Sequence, residues 1–265
     1  MPKHHGTDIA RAWRRPSGQR PWVLGHRGAR HAAPENTLAA FELAAREGAD
    51  GFELDVRLDG SGRVIVLHDT NLARVTGNRD RRAAEGVSSA ELSLVDVGSG
   101  ERVPELREVL EFTRSRALRV NVELKHDVRN RRELVSKVQS LIGTLPDAPD
   151  WILLSCFHPA IVLRLARALP HVPVAWLVHK QQHVLRRAPA WRLLGAVGVH
   201  PEHPLITPAR LVALRAGGAL VNTWTVNDPE RAAALAELGV DAIISDTPGA
   251  ILARLQRADT AGARG

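Results

Sequence analysis

The sequence predicts an α/β protein built as a TIM-like (β/α)8 barrel, with a short hairpin or insertion after its second strand. Short apolar runs alternate with amphipathic stretches along the 265 residues, which is the pattern of a parallel sheet covered by helices. This length is ordinary for one such barrel. Eight apolar runs are its predicted parallel strands: 22–25, 51–56, 119–124, 151–157, 174–178, 196–200, 220–226 and 241–245.

A ninth apolar run is predicted to lie outside the barrel. The run RVIVLH (63–68) follows the second strand after the turn DGSG (59–62). Such a short turn joins antiparallel neighbours, because a parallel return needs a crossover of about a dozen residues. We therefore expect residues 57–69 to form a hairpin arm above the second strand. Residues 70–103 are expected to form a loop or small insertion at the barrel mouth.

The amphipathic stretches between the strands are predicted to be helices. The stretch NTLAAFELAAREG (36–48) places Leu38, Phe41 and Ala45 on one face and is closed by Gly48. Proline stands at the start of three later stretches, where its missing N–H costs no hydrogen bond. The later helices are predicted over 131–145, 159–169, 207–218 and 229–239.

The ends of the chain carry most of its net positive charge. The formal net charge is +7, and residues 1–21 hold five basic residues against one acidic residue. We therefore expect 1–21 to be a flexible basic tail, 22–258 to be the barrel domain and 259–265 to be a C-terminal tail. A solvated tail explains this charge without a nucleic-acid site.

The cellular location is predicted from three features of the sequence. No run approaches the roughly 18 apolar residues of a membrane span. The amino-terminal residues lack the apolar core of a secretory signal. Cys156 is the only cysteine, which fits a reducing compartment. These features predict a cytoplasmic protein with no transmembrane segment, and they leave its oligomeric state open.

Acidic residues on two predicted strands are candidate metal ligands. Glu53 and Asp55 are two residues apart and so face the same way, and Glu123 and Lys125 repeat this spacing on the third barrel strand. Carboxylates so close repel one another unless a cation joins them. Salt bridges to arginine are the alternative interpretation. Oxygen ligands without cysteine or clustered histidine favour one divalent cation, Mg2+ or Ca2+ with Mn2+ also possible, over zinc.

Two histidines are candidate acid/base groups at the same mouth. His26 lies in GHRG (25–28) at the end of the first strand, where barrel enzymes place catalytic groups. His68 ends the hairpin arm, and the adjacent Asp69 is a candidate to orient it. Arg27 and Lys125 add positive charge for an anionic substrate, and a guanidinium can grip phosphate through two hydrogen bonds.

Eight segments then follow one another in a specific order. They span about residues 22–255 and are HRGARHAAPENTLAAF, GADGFELDVRL, VIVLHDTNLARVTG, VSSAEL, VPELREVL, NVELK, NTWTVND and GVDAIISDTPG. A single fragment such as HRG is common. The ordered set resembles the glycerophosphodiester phosphodiesterase family, in its cytoplasmic bacterial type.

The resemblance implies an activity and a set of roles. The activity is metal-dependent hydrolysis of deacylated phospholipids, such as glycerophosphocholine or glycerophosphoethanolamine, to sn-glycerol 3-phosphate and an alcohol. The implied catalytic pair is His26 and His68. The implied metal ligands are Glu53, Asp55 and Glu123. Arg27 and Lys125 would contact the phosphate, and Trp224 would form an aromatic wall of the substrate pocket.

Several alternatives stay open at this point. Core packing is the alternative for Trp224, and Asn36 is a candidate for both a helix cap and a ligand contact. The basic stretch 179–195 is expected to be an exposed rim, or else a surface that rests on a membrane.

The substrate class also has rivals. The chain departs from the family pattern in its turn GSG (60–62) and in PELREVL (104–110), outside the implied catalytic set. Because mouth loops shape substrate preference, the head group stays open. A lysophospholipase D-like activity on lysolipids is the nearest rival, and a non-catalytic barrel that binds anions is the other.

Overall fold

The computed structural model describes residues 9–182 and 190–262, with side chains up to residue 257. Eight parallel strands close into a barrel, because the first strand pairs with both the second and the last, and this confirms the predicted fold. The strands are β1 (Trp22–His26), β2 (Gly51–Leu58), β3 (Val64–Val66), β4 (Arg119–Leu124), β5 (Ile152–Cys156), β6 (Val174–Val178), β7 (Gly198–Pro201), β8 (Leu220–Thr223) and β9 (Ala242–Ser245).

Strand β3 is the predicted hairpin arm and does not belong to the barrel. It runs antiparallel to β2, with Val66 opposite Val56. The following segment 70–103 packs around a small core of its own, in which Leu72 and Leu92 are buried. The predicted insertion is therefore an ordered unit with its own apolar support.

Helices separate the barrel strands. The five predicted helices are present, each beginning or ending within a few residues of its expected bounds, and a further long helix follows the insertion. The helices are α1 (Leu38–Arg46), α2 (Ser89–Leu92), α3 (Leu106–Ser115), α4 (Arg131–Ile142), α5 (Ala148–Trp151), α6 (Pro159–Ala168), α7 (Ala190–Leu193), α8 (Pro208–Ala216), α9 (Pro229–Leu238) and α10 (Pro248–Gly262).

The segment 9–21 differs from the flexible tail that the sequence predicts. A short 3₁₀ helix (Arg11–Trp13) places the Trp13 ring at 0% exposure in a cluster with Leu24, Leu153 and Leu220. The backbone N–H of Arg15 donates to Asp241. Charge patterning could not reveal this packing, because the interior of the barrel forms only once its strands have closed.

The other end of the chain also differs from the prediction. Helix α10 continues to Gly262, into the stretch 259–265 that was expected to be a tail. No helix in the described ranges is long and apolar enough to cross a membrane.

Replacing Trp13 by alanine is expected to destabilise the fold without changing the chemistry. Truncating a buried tryptophan costs about 3–5 kcal/mol, because apolar contacts are lost and a cavity remains. The ring lies among barrel-interior residues away from the mouth. Urea denaturation measures the loss, and Arg11→Ala, on the exposed side of the same short helix, is the control. A Trp13→Ala protein as stable as the wild type would contradict this role.

Candidate active site

The carboxyl ends of the barrel strands bring the predicted site residues together. In the sheet register His26 on β1 is paired with Glu53 on β2, and Asp55 is paired with Glu123 on β4. A cavity of about 350 Å3 is lined by seven of the eight predicted residues, namely His26, Arg27, Glu53, His68, Glu123, Lys125 and Trp224. The eighth, Asp55, is fully buried and contacts two of them.

Glu53, Asp55 and Glu123 form a buried carboxylate cluster. Each offers one oxygen, and these three oxygens lie within 4.8 Å of one another. Lys125 Nζ lies 3.2 Å from Asp55 Oδ1 and 2.9 Å from Glu123 Oε1. Arg27 Nε lies 3.1 Å from Asp55 Oδ2. Three carboxylates therefore face two cationic side chains, which leaves an excess of negative charge.

Burial and the neighbouring charges shift the pKa values within the cluster. Burial raises the pKa of Glu53 well above its ordinary value, and the charges of Asp55 and Glu123 raise it further. Burial also raises the pKa of Glu123, against the opposing charge of Lys125. At Asp55 the effect of burial is outweighed by Lys125 and Arg27, so its pKa lies below the ordinary range. Glu53 is the carboxylate that the chain compensates least.

The cluster fits a hard divalent cation. Its donors are three closely spaced carboxylate oxygens, with neither sulfur nor imidazole among them, which suits Mg2+ or Ca2+ better than zinc. Pairing with arginine, the alternative interpretation, accounts for part of the charge at Asp55 and compensates Glu53 only partly. The group could therefore hold one metal ion.

The loop after β1 aims Arg27 at this cluster. Arg27 has φ 55° and Gly28 has φ 82°, both in the left-handed region. A Cβ on Gly28 would lie 2.6 Å from backbone atoms of Ala40, so glycine is required for the loop to pack on α1. This turn lets the Arg27 backbone N–H donate to Glu53 Oε2 at 3.2 Å.

Asn36 supports the cluster from the same loop. Its side-chain amide donates to Asp55 Oδ2 at 3.1 Å. The helix-cap interpretation of Asn36 is wrong, because Thr37 caps α1 by accepting from the Ala40 N–H. Its φ of 58° is tolerated more readily by asparagine than by most other residues.

His26 is held by a residue far away in the sequence. Its Nδ1 lies 2.6 Å from Oδ1 of Asp246, which follows β9. The amide of Asn227 donates to the other oxygen of Asp246 at 2.7 Å. His26 Nε2 is left facing the carboxylate cluster, 4.0 Å from Glu53 Oε2. The imidazole is thus fixed in orientation with one nitrogen free for chemistry.

His68, which follows β3, has the same arrangement. Its Nδ1 lies 2.6 Å from Oδ1 of Asp69, so the orienting role considered for Asp69 matches the geometry. Asp69 in turn accepts from Arg74 at 2.6 Å. The pKa of Asp69 is lowered to about 2, because hydrogen bonds from Arg74 and His68 outweigh burial. Burial, with Lys125 and Arg27, lowers the pKa of His68, although Asp55 and Asp69 act the other way.

An apolar wall of the cavity is formed by Phe157, Leu177, Trp224 and Ile244. Trp224 meets Phe157 edge to face, with ring centroids 5.5 Å apart, and stacks on His179 at 6.0 Å. The Trp224 Nε1–H donates to the His200 carbonyl at 2.8 Å, which fixes the ring. Trp224 therefore lines the cavity. Sequence reasoning singled out neither Phe157 nor His179 as part of it.

Asp246 is the main site residue that sequence reasoning missed. It stands in SDTPG two positions after Ile244, which lines the cavity. A carboxylate at the carboxyl end of a barrel strand, in phase with inward-facing residues, was the available signal.

Two other groups lie outside the predicted site. Cys156 is buried, and burial raises the pKa of its thiol to about 12. The basic stretch 179–195 lies partly outside the described residues, at 183–189. Within the described part, Trp191 is buried in the core and Leu193 is exposed.

Comparisons with known proteins identify related sequences. A model of the glycerophosphoryl diester phosphodiesterase family matches residues 26–250. A glycerophosphodiester phosphodiesterase of Bacillus altitudinis is 32% identical over 238 residues, covering 85% of this chain and 94% of that protein. The residues matched by the family model include His26, Glu53, Asp55, His68 and Glu123.

Solved structures of the same type share the fold. A phosphodiesterase of Oleispira antarctica, in complex with the product sn-glycerol-3-phosphate, superposes with a TM-score of 0.79 at 28% identity, covering 89% of this chain and 97% of that one. A glycerophosphodiester phosphodiesterase from Agrobacterium tumefaciens superposes with a TM-score of 0.74 at 27% identity, covering 88% of this chain and 99% of that one.

Proposed function

Since the chain belongs to the glycerophosphoryl diester phosphodiesterase family, we propose that it hydrolyses glycerophosphodiesters to sn-glycerol 3-phosphate and an alcohol. Glycerophosphocholine and glycerophosphoethanolamine are the proposed substrates. The solved relative that holds sn-glycerol-3-phosphate supports the proposed product. A location in the cytoplasm remains a prediction from the sequence.

The observation that carries the proposal is that two histidines line one cavity and that each is held by an aspartate. His26 with Asp246, and His68 with Asp69, each use Nδ1 to bind a carboxylate. An Nδ1–H that donates to a carboxylate leaves Nε2 free to take or give a proton. We assign His26 as the base and His68 as the acid.

The charge state of His68 depends on the substrate. Its lowered pKa leaves it largely neutral at neutral pH in the free protein. A phosphodiester anion in the cavity adds negative charge beside the ring and so favours the imidazolium. His68 is then able to protonate the leaving alcohol.

The metal and phosphate contacts follow from the carboxylate cluster. Glu53, Asp55 and Glu123 would hold one divalent cation, Mg2+ or Ca2+ with Mn2+ also possible. Such a cation offsets charge on the phosphate and lowers the pKa of a hydroxyl group beside it. Arg27 and Lys125, which line the cavity, would bind the phosphate oxygens.

The lysophospholipase D-like alternative is favoured by one feature, the apolar wall of Phe157, Leu177, Trp224 and Ile244. The volume of the cavity argues against a lysolipid substrate. About 350 Å3 accommodates a small diester and leaves little space for an acyl chain. The non-catalytic alternative is disfavoured, because both histidine couples and all three carboxylates converge on one site.

A substrate panel tests the proposal. We expect release of sn-glycerol 3-phosphate from glycerophosphocholine and glycerophosphoethanolamine, and little product from a lysophosphatidylcholine. The charged side chains that line the cavity and its limited volume predict this order of rates. Coupled detection of sn-glycerol 3-phosphate measures it, with His26→Ala as the inactive control. Faster turnover of the lysolipid would favour the alternative, and no product from any diester would reject the proposed activity.

A further inference from the structure

Glu35 in the loop before α1 connects three arginines at the rim of the cavity. Its side chain is only 10% exposed. Its Oε1 accepts from Arg27 at 2.9 Å, and both of its oxygens accept from Arg74, at 2.7 Å and 2.8 Å. Arg30 lies 3.6 Å away. Glu35 is not among the described residues that line the cavity, so it acts through its partners.

The arginines carry the connection to both histidine couples. Arg74 also donates to Asp69, the partner of His68, at 2.6 Å. Arg30 lies 3.6 Å from Asp246, the partner of His26. One continuous series of alternating charges therefore crosses the mouth from one histidine to the other.

Arg74 can hold this position because the insertion supports it. It lies between Leu72 and Thr76, both buried, and the Thr76 hydroxyl donates to the Leu72 carbonyl at 2.8 Å. The insertion 70–103 thus presents one guanidinium to the site from an ordered backbone.

We propose that Glu35 and Arg74 are positioning residues that hold the His68–Asp69 couple, and more weakly the His26–Asp246 couple, in register across the cavity. The inference rests on the proposed function for its kinetic meaning. Exposed ion pairs are commonly worth little. This one differs because Glu35 is largely buried and its pairing with Arg74 is bidentate, which adds geometric restraint.

A pair of substrates tests whether Arg74 positions His68 through Asp69. Single-turnover release of choline from glycerophosphocholine needs the acid His68, whereas release of p-nitrophenolate from the matching p-nitrophenyl diester does not. We expect Arg74→Met to slow choline release by about 10- to 100-fold, the usual range for a partner that orients a reacting group, and to leave p-nitrophenolate release nearly unchanged. Arg74→Lys should give an intermediate rate of choline release, because an ammonium group cannot reproduce the bidentate hydrogen bonds of the guanidinium to Glu35.

Two further variants complete the kinetic test. Arg82→Met removes an exposed arginine of the same insertion that pairs with Asp80 and Glu91, and it should change neither rate. Glu35→Gln should slow both substrates, because it also releases Arg27 and Arg30. Equal slowing of both substrates by Arg74→Met, or no effect of Glu35→Gln, would overturn the proposal.

A spectroscopic measurement separates this inference from the proposed activity. In the full chain with Mg2+, the short Nδ1–H hydrogen bonds of His26 and His68 should give downfield proton resonances. Arg74→Met should lose the His68 resonance and keep that of His26, and Arg82→Met should keep both. If the wild type hydrolyses no diester, the activity is wrong while this result still decides the positioning role. Retention of the His68 resonance in Arg74→Met would overturn that role.

Discussion

Replacing Glu53 by glutamine is expected to remove nearly all turnover and yet leave the metal-free protein no less stable than the wild type. The variant keeps the shape of the side chain and removes one of three closely spaced anionic oxygens. Metal-assisted charge stabilisation contributes several kcal/mol to such reactions, so we expect a loss of about 1000-fold or more. Excess EDTA should have the same effect on the wild type, and Mg2+, Ca2+ or Mn2+ should reverse it.

The stability part of this prediction follows from the raised pKa of Glu53. Burial, and then Asp55 and Glu123, make the folded protein hold the Glu53 proton more tightly than the unfolded chain does. Ionising Glu53 therefore costs folding free energy. For the metal-free wild type, this contribution lowers stability as pH rises from the ordinary glutamate pKa through the raised one. Glutamine removes that pH-dependent contribution.

Thermal unfolding with and without divalent ions measures the stability of the metal-free protein and the binding of ions to the folded state. Ions that bind the folded state should raise the Tm of the wild type and have little effect on Glu53→Gln. Glu111→Gln, an exposed change on α3, should behave like the wild type in every assay. Full activity of the wild type after confirmed metal removal would reject metal dependence. A strong loss of metal-free stability in Glu53→Gln would show that the cluster is compensated without a cation.

The sequence predicts the residues of the site better than it predicts what holds them. Glu53 and Asp55 on one strand, and Glu123 and Lys125 on the next barrel strand, follow from a period of two and from parallel pairing. His26 and His68 follow from strand ends. These are local rules, and they apply before any tertiary contact is known.

The supporting contacts depend on closure of the barrel. Asp246 meets His26 only because β9 pairs with β1, and the two residues are 220 positions apart. Trp13 packs against interior residues of the barrel, although it belongs to a segment whose charge predicts a solvated tail. Glu35 and Arg74 meet across 39 positions. No periodicity or spacing in the sequence encodes such pairings, which arise when distant segments reach the same end of the sheet.

The group that attacks phosphorus is identified by excluding the side chains around the cavity. The described residues that line the cavity include neither serine nor cysteine, and the hydroxyl of Thr225, which does line it, makes no hydrogen bond with His26 or His68. Cys156 is buried, with its thiol pKa raised to about 12. Asp69 is engaged by both His68 and Arg74, so its oxygens serve orientation. The nucleophile is therefore expected to come from the substrate or from water.

A substrate hydroxyl is the better candidate. The glycerol moiety carries a hydroxyl next to the phosphodiester, and a tethered nucleophile gains up to roughly 7–11 kcal/mol in well-oriented cases. We expect His26 to remove its proton as the oxygen attacks phosphorus, and His68 to protonate the departing alcohol. A cyclic phosphate results. Water then opens the ring, with the two histidines exchanging roles.

A glycerophosphocholine analogue with hydrogen in place of that vicinal hydroxyl should therefore bind with similar affinity but turn over at least about 100-fold more slowly, given the usual worth of acid/base-assisted steps. In the proposed complex, Arg27, Lys125 and the apolar wall would contact parts of the substrate that the analogue retains, so its affinity should be similar. Isothermal titration with His26→Ala compares the affinities, and choline release compares the rates. A trapped cyclic phosphate from the natural substrate would support the pathway. Comparable hydrolysis of the deoxy analogue would instead indicate direct attack by water, and the base and acid roles of His26 and His68 would have to be reassigned.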